Sequence, residues 1–135
     1  MTYLLDTMAL SELRKEEKNA GLVAWIAKQR DADLFVSVIS IGELERGLCS
    51  VAKKDAEFAR ILGIWLDKLL MAYSDRILPV SLAAARRWGF LSASCGNAGV
   101  DILLAATALE HDCTVVTRNI RHFEPTGVRT HNPWT

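Results

Sequence analysis

Three carboxylates occupy matching places along this chain, at strand-to-helix junctions or at the start of a helix-like run. Asp6 closes the apolar run at residues 3–5, Glu43 follows a β-branched run at residues 34–39, and Asp101 opens a later helix-like run. A parallel sheet can bring such residues together, because the carboxyl ends of its neighbouring strands open onto one crevice. Three carboxylates in one crevice repel each other unless a cation is present, and their oxygen atoms suit Mg²⁺ or Mn²⁺ better than zinc. The pattern predicts a metal-dependent enzyme that acts on phosphate.

The chemistry of phosphodiester cleavage explains what this carboxylate cluster would do. The attacking nucleophile and the phosphate are both negative, and a divalent ion neutralises the phosphate, lowers the pKa of its bound water and aligns that water for attack. The acids need only hold the ion, so the reaction requires no histidine base. We therefore expect Asp6, Glu43 and Asp101 to be catalytic residues and metal ligands, with Mg²⁺ as the cofactor and Mn²⁺ as its substitute.

Each acid also has a simpler explanation as part of a helix start. Asp6 could cap the helix that follows it, and Asp101 could complement the positive end of its own helix. Residues 40–43, Ser-Ile-Gly-Glu, match the capping box, in which a glutamate bonds back to the amide of the cap residue. All three acids nevertheless fall on the same expected edge of the sheet, and this coincidence favours the functional interpretation.

Length, composition and charge place the chain among globular proteins. Its 135 residues are 50% hydrophobic and 24% charged, which excludes a disordered tail and predicts one domain over residues 1–135. Sixteen basic and sixteen acidic side chains give a formal net charge of zero, so any polyanion must be held by local clusters of basic residues. Three cysteines without metal-ligand spacing, and no leader or membrane-spanning run, favour a cytoplasmic protein.

The order of the predicted elements indicates an α/β domain. Strands are predicted at residues 3–5, 34–39, 77–80 and 114–117, and helices at residues 10–15, 22–29, 41–51, 58–69, 81–94 and 101–111. Strands that alternate with helices form a mainly parallel sheet with right-handed crossovers. One helix carries a long apolar stripe, which predicts core packing together with a partner surface. The stripe consists of Phe58, Ile61, Leu62, Trp65 and Leu69.

Four segments of the chain, taken together, resemble one protein family. They are YLLDT at residues 3–7, SVISIGELERG at 37–47, GVDILLAATALEH at 99–111 and VVTRNIRHFE at 115–124. In order and spacing they are similar to the PIN-domain nucleases, and most similar to the VapC-like and FitB-like toxins of bacterial toxin-antitoxin pairs. The resemblance runs from residue 1 to about residue 128.

The resemblance implies a fold, an activity and partners. The fold would be a three-layer α/β/α PIN-like domain with a mainly parallel central sheet of four to five strands. The protein would be the toxin of a type II pair, a divalent-metal-dependent endoribonuclease that hydrolyses RNA phosphodiester bonds. Its partners would be the RNA substrate, a cognate antitoxin that links it to operator DNA, and a second copy of the chain in a homodimer. The antitoxin would insert a basic side chain near the acids, since a guanidinium can neutralise clustered carboxylates.

The acidic quartet of the family is incomplete in this sequence. The three acids match three of its positions, whereas Asn119 and His122 stand where relatives often carry the fourth. Asn119 can offer a neutral carbonyl oxygen or orient a water molecule, so it is included among the catalytic candidates. His122 is expected to be a contact rather than a general base. The candidates for binding the substrate are Ser11, Thr117 and Arg118.

Two other classes of protein compete with this prediction. An aspartate phosphatase or a receiver domain also places an aspartate after its first strand. The phosphatase would need a second aspartate at Met8, and the receiver would need an acidic pair near the first strand and a lysine at the end of a late strand; the chain has none of these. The other alternative is a catalytically weak protein with the nuclease fold, which acts mainly through an antitoxin and operator DNA complex. The uncharged Asn119 keeps that alternative open.

Overall fold

A five-stranded parallel sheet forms the centre of the computed structural model, which describes residues 1–135. Its strands, in chain order, are β1 (Thr2–Leu5), β2 (Leu34–Ser37), β3 (Ile77–Leu78), β4 (Cys113–Val116) and β5 (Thr130–His131). They lie in the order β3-β2-β1-β4-β5, and every neighbouring pair is parallel. The chain adds β2 and β3 on one side of β1 and then β4 and β5 on the other, so the direction of winding switches at β1. In open α/β sheets, ligands bind at such a switch point.

Seven helices connect and cover the strands. They are α1 (Thr7–Arg14), α2 (Ala20–Ala27), α3 (Val38–Ala52), α4 (Ala56–Ala72), α5 (Leu82–Cys95), α6 (Val100–Glu110) and α7 (Ile120–Phe123). Two single turns of 3-10 helix lie at Asp31–Asp33 and Glu124–Thr126. None of these helices is both long enough and apolar enough to span a membrane.

Both faces of the sheet are buried, because successive residues of a strand point to opposite faces and helices cover each of them. On one face Leu4 and Val115 pack with Leu104 of α6 and Phe123 of α7. On the opposite face Leu5 belongs to a second cluster, which includes residues of α1, α2, α3 and α4. These two helical layers confirm the predicted three-layer α/β/α arrangement, with five strands.

The predicted strand at residues 34–39 is wrong in its last two residues. β2 ends at Ser37, whose hydroxyl oxygen accepts a 3.1 Å hydrogen bond from the Ile39 amide and so starts α3. The capping box considered as a simpler explanation of residues 40–43 is absent, because Ser40 is buried inside the first turn of α3 rather than at its cap. Glu43 therefore does not cap the N-terminus of α3.

The strand β5 and the segment after it have no counterpart among the predicted elements, since two residues carry no periodicity. This segment packs against the start of α2. The Asn19 side chain donates to the Thr135 carbonyl at 3.0 Å, and its oxygen accepts from the Thr135 amide at 3.2 Å. Gly21 permits the contact, because a Cβ at that position would lie 2.3 Å from the Pro133 carbonyl oxygen. Residues 132–135 are thereby anchored on α2.

Candidate active site

Asp6 lies at the centre of the site, immediately after the central strand β1. Its amide donates to the Val116 carbonyl at 3.1 Å, which extends the pairing of β1 with β4. Its carboxylate caps α1, where Oδ1 accepts a 2.8 Å hydrogen bond from the Ala9 amide. Asp6 is only 4% exposed. The helix cap considered from the sequence therefore exists, but it coincides with a buried position at the sheet edge.

The pKa of Asp6 reports the electrostatics of the crevice. This pKa is raised from 3.8 to about 6, first by burial, with the nearby charges of Asp101 and Glu43 acting in the same direction. The nearby Thr117 hydroxyl and the hydrogen bond from the Ala9 amide lower it and offset the increase only in part. The three acids thus share one crevice, in which the charge of Asp6 is poorly compensated.

Glu43 is held in the crevice by hydroxyl groups from two helices. Thr7, the first residue of α1, donates a short hydrogen bond to Glu43 Oε1. The Thr7 hydroxyl oxygen also lies 2.9 Å from that of Ser40 on α3. Since a carboxylate only accepts and Thr7 has a single hydroxyl proton, the Ser40 hydroxyl donates to Thr7. This chain of hydroxyls fixes the direction in which Glu43 points.

Asp101 enters the crevice from the first turn of α6, in the other helical layer. Its Oδ2 lies 2.7 Å from Nδ1 of His122, an exposed residue of α7. Asn119 is the cap residue of α7, and its amide donates to the Thr117 hydroxyl at 2.9 Å. The Asn119 side chain makes no capping hydrogen bond, so its carbonyl oxygen is available to a ligand.

The donor set fits a hard divalent cation. Its charged members are carboxylates, and burial raises the pKa of Asp6, so the charge of this carboxylate in particular is poorly stabilised. No group of three acidic, histidine or cysteine side chains is gathered closely enough to enclose an ion by itself. Because Glu43 is bound by Thr7 and Asp101 by His122, a cation would share these carboxylates and keep part of its water shell, as Mg²⁺ commonly does.

The predicted substrate residues lie on different sides of the acids. Ser11 lines, with Glu43, an open cavity of about 230 Å³ between α1, α3 and α4. Arg118 lines two other hollows, and one of them is also lined by His122, the hydrogen-bond partner of Asp101. Thr117 is fully buried. Its position therefore suits support of the Asp6 carboxylate rather than direct contact with a substrate.

Two supporting residues of the site, Thr7 and Ser40, carry no role in the prediction from the sequence. Thr7 directly follows Asp6, and a hydroxyl at a strand-to-helix junction was a usable signal. Ser40 gave a signal for a different role, because its spacing from Glu43 matches a capping box. Only the packing of α1 against α3 brings the two hydroxyl groups together.

The sheet order and the clustered acids agree with a match to a known family. Residues 3–127 match the family described as PIN domain. The chain belongs to the PIN domain family. The matched region includes all three acids and Asn119, so the crevice lies entirely within this PIN domain.

Two relatives and one solved structure cover nearly the whole length of this PIN domain. It is 35% identical over 138 aligned residues to VapC ribonuclease Y4jK of Sinorhizobium fredii, with 97% of this chain and 96% of that protein covered. It is 30% identical to Toxin FitB of Neisseria gonorrhoeae, with 97% of each chain covered. The structure of FitAB bound to an IR36 DNA fragment superimposes with a TM-score of 0.86 at 27% identity, covering 99% of this chain and 96% of that one.

Replacement of Asp6 with asparagine should stabilise the metal-free protein at high pH. The pKa of Asp6 is raised from 3.8 to about 6 in the folded protein, so the charged carboxylate opposes folding above pH 6 but not below about pH 4. The difference in pKa corresponds to about 3 kcal/mol, and asparagine can keep the helix cap. In excess chelator, thermal unfolding should show a gain for Asp6→Asn at pH 8 that disappears near pH 4.

Asp55→Asn is the matched control for this comparison. Asp55 caps α4 in the same way, since its Oδ1 accepts a 3.0 Å hydrogen bond from the Phe58 amide, but it lies on the surface. The control should show no comparable gain. Equal stability of the wild type and Asp6→Asn at pH 8 would contradict the poor charge compensation inferred for the crevice.

Proposed function

We propose that this PIN domain, formed by residues 1–135, is the toxin of a type II toxin-antitoxin pair and acts as a divalent-metal-dependent endoribonuclease. The observation that carries the proposal is that Asp6, Glu43 and Asp101 share one crevice at the carboxyl end of the central strand. The names of the two relatives, a VapC ribonuclease and a FitB toxin, support it. The three free cysteines suit the reducing cytoplasm in which such a toxin would meet RNA.

Asp6, Glu43 and Asp101 are the proposed ligands of Mg²⁺, with Mn²⁺ as its substitute. When bound, the ion would neutralise the scissile phosphate and lower the pKa of a water molecule. Asp6 is oriented for this role by its position as the cap of α1, and Glu43 by the Thr7 hydroxyl. His122 holds one oxygen of Asp101 and would share or release it.

The remaining side chains of the site position water and substrate. Asn119 stands in the place of a fourth acid, and its carbonyl oxygen can accept a hydrogen bond from water without adding charge. Ser11 offers a hydroxyl on the Glu43 side and Arg118 a guanidinium on the opposite side, so both can contact phosphate oxygens. Thr117 acts only through the carboxylate that it supports.

RNA cleavage should require Mg²⁺ or Mn²⁺ together with each of the three acids. Asp6→Asn, Glu43→Gln and Asp101→Asn each remove one ligand charge at nearly constant shape. The rate of cleavage should therefore fall by more than about 100-fold. Thr7→Val keeps all three carboxylates and only removes the hydrogen bond that orients Glu43, so the rate should fall by about 10- to 100-fold. Initial rates are measured on total RNA, and the new RNA ends are sequenced to identify the target.

The control for these variants is His122→Ala, which should retain substantial activity because water can replace the exposed imidazole beside Asp101, whereas Thr7 is half-buried against Glu43. Circular dichroism confirms that each variant is folded. Undiminished cleavage in excess chelator, or by Asp101→Asn, would refute the mechanism. A loss in His122→Ala as large as that in Asp6→Asn would assign the histidine an essential role.

The cavity beside Glu43 has the features of a docking site for the antitoxin. Phe58, Leu62 and Trp65 of α4 give it largely apolar walls, and Glu43 and Thr7 lie on the same cavity. An apolar peptide segment that carries an arginine could fill the cavity and place a guanidinium on the carboxylates. The FitAB structure on a DNA fragment supports a further role for the complex at operator DNA, which the toxin would reach through its antitoxin.

The antitoxin should therefore compete with the metal ion for the crevice. We expect Mn²⁺ binding, followed by electron paramagnetic resonance, to weaken when the cognate antitoxin is added, because a guanidinium and a cation cannot occupy the same carboxylates. An antitoxin variant with that arginine replaced by glutamine should inhibit poorly while still binding the cavity. An antitoxin that inhibits without lowering either Mn²⁺ or RNA binding would argue against the insertion.

The helix α4 also supports the proposal of a homodimer. Ile61 is 50% exposed, Ile64 44% and Met71 77%, and their spacing places them on one outer stripe of the helix. Sedimentation velocity at micromolar concentration should show a dimer. Replacing Ile64 and Met71 with lysine should produce monomers, because each change places a charge in the contact, whereas a monomeric wild type at this concentration would refute the dimer.

A catalytically weak binding protein is the alternative function, and the uncharged Asn119 at the place of the fourth acid favours it. Such a protein would act through its antitoxin and operator DNA rather than through cleavage. Mn²⁺ affinity measured with and without Asp6→Asn separates the two functions. If the protein is a nuclease, the wild type should bind Mn²⁺ and Asp6→Asn should bind it more weakly.

A further inference from the structure

Two arginines beside the crevice have guanidinium groups without a partner in the protein. Carboxylate or carbonyl oxygens bind those of Arg30, Arg60, Arg76, Arg87 and Arg129. Arg118 and Arg121 are exposed, and their side chains form neither an ion pair nor a hydrogen bond. Arg118 also acts electrostatically on Glu12, but the hollow that the two arginines share has no carboxylate in its lining, so both give it positive charge.

Both arginines line a groove that His122 connects to the acids. Its near hollow, of about 310 Å³, is bordered by Arg118, Arg121, Asn119 and His122. His122 is also the residue that contacts Asp101, at 2.7 Å. No carboxylate lines this hollow. A polyanionic strand that crosses the crevice would therefore continue into a positively charged channel.

The groove continues into a second hollow of about 440 Å³, beside the C-terminal segment. Arg118 and Asn132 line both hollows and so join them. In the far hollow, Glu12 and Glu17 balance the charges of Lys18 and Arg118, so it lacks the excess positive charge of the near one. Phosphate groups are thus favoured in the near hollow, and uncharged parts of a nucleotide in the far one.

The far hollow presents groups that suit a nucleobase. The Asn132 side-chain oxygen accepts a 3.0 Å hydrogen bond from the Trp134 amide, which leaves the side-chain NH₂ group for a ligand. Trp134 packs partly against the hydrophobic core and also lines the same hollow. Proteins hold unpaired bases by stacking them on aromatic rings and by hydrogen bonds to their edges. Gly21 and Asn19 anchor this segment on α2, so both side chains are in place before binding.

We propose that this groove, defined by Arg118, Arg121, Asn132 and Trp134, binds a single-stranded segment of the substrate RNA on the Asp101 side of the scissile phosphate. The two arginines hold backbone phosphates, and Asn132 and Trp134 hold an adjacent base. A double helix cannot use the far hollow, because its bases are stacked and paired. The inference rests on the proposed ribonuclease function and adds the path of the RNA.

Binding of an RNA probe tests the groove without cleavage. The probe is a short, fluorescein-labelled, single-stranded RNA of mixed sequence, and its anisotropy is measured in excess chelator at several salt concentrations. Arg118→Gln and Arg121→Gln should each weaken binding by about three- to tenfold and reduce the slope of log Kd against log salt by about 0.7, as expected for one lost phosphate contact on a single strand. With Mg²⁺ present, they should raise KM for cleavage more than they lower kcat.

Arg86→Gln is the matched control, because Arg86 is also exposed, lies on α5 and lines neither hollow. It should bind the probe like the wild type. Trp134 supplies a second readout: the probe should quench tryptophan fluorescence in the wild type, whereas Trp134→Phe should lose this quenching and keep most of the affinity. A Trp134→Leu protein should bind several-fold more weakly, because it has no ring on which a base can stack.

Three results would overturn the inference. The first is that Arg118→Gln and Arg121→Gln both bind the RNA probe as tightly as Arg86→Gln does. The second is binding of a duplex of the same sequence as tightly as the single strand. The third is a loss of antitoxin binding, rather than RNA binding, in the groove variants, because the groove would then be a protein-binding surface.

Failure of the groove can be distinguished from failure of the proposed function. A wild type that cleaves RNA, with unchanged affinity and KM in the two arginine variants, refutes the groove alone. A wild type that shows no metal-dependent cleavage refutes the ribonuclease. In that second case, RNA binding that depends on Arg118 and Arg121 would still support the groove.

Discussion

The burial of one carboxylate at the end of the central strand is the constraint on which the site depends. Asp6 cannot easily move, because its amide extends the pairing with β4 and its carboxylate caps α1. A buried charge is tolerated only where its surroundings compensate it. The fold instead brings Glu43 and Asp101 towards Asp6 from opposite helical layers, and both increase the negative charge. A bound cation is the simplest way to stabilise this arrangement.

The same constraint organises the surface around the crevice. On the Glu43 side, an apolar cavity opens between α1, α3 and α4. On the Asp101 side, a groove with two unpaired guanidinium groups leads away from the acids. A protein segment and an RNA strand can therefore approach the same carboxylates from different directions. Inhibition would then require only that the partner occupies the acids, without covering the RNA groove.

The convergence of the acids was the most predictable part of the candidate site. Asp6 and Glu43 follow predicted strands and Asp101 opens a predicted helix, and such positions share one edge of a parallel sheet. Local sequence patterns did not predict the structure correctly where tertiary contacts determine it. Val38 and Ile39 favour a strand by their β-branching, but the Ser37 cap starts α3 before them. The hydroxyl chain to Glu43 joins two helices, and the groove joins residues 118–121 to a C-terminal segment seated on α2, so neither has a signature in local spacing.

One measurement tests most directly whether the crevice is a cation site, because it locates the ion without reference to activity: anomalous diffraction from crystals soaked in Mn²⁺. We expect a manganese peak in the crevice, bound by the carboxylates of Asp6 and Asp101 at about 2.1 Å or through water. Crystals of Asp6→Asn under the same soak should show no equal peak. A crevice that stays without a peak at saturating Mn²⁺, or an equal peak in Asp6→Asn, would contradict the assignment of these acids as metal ligands.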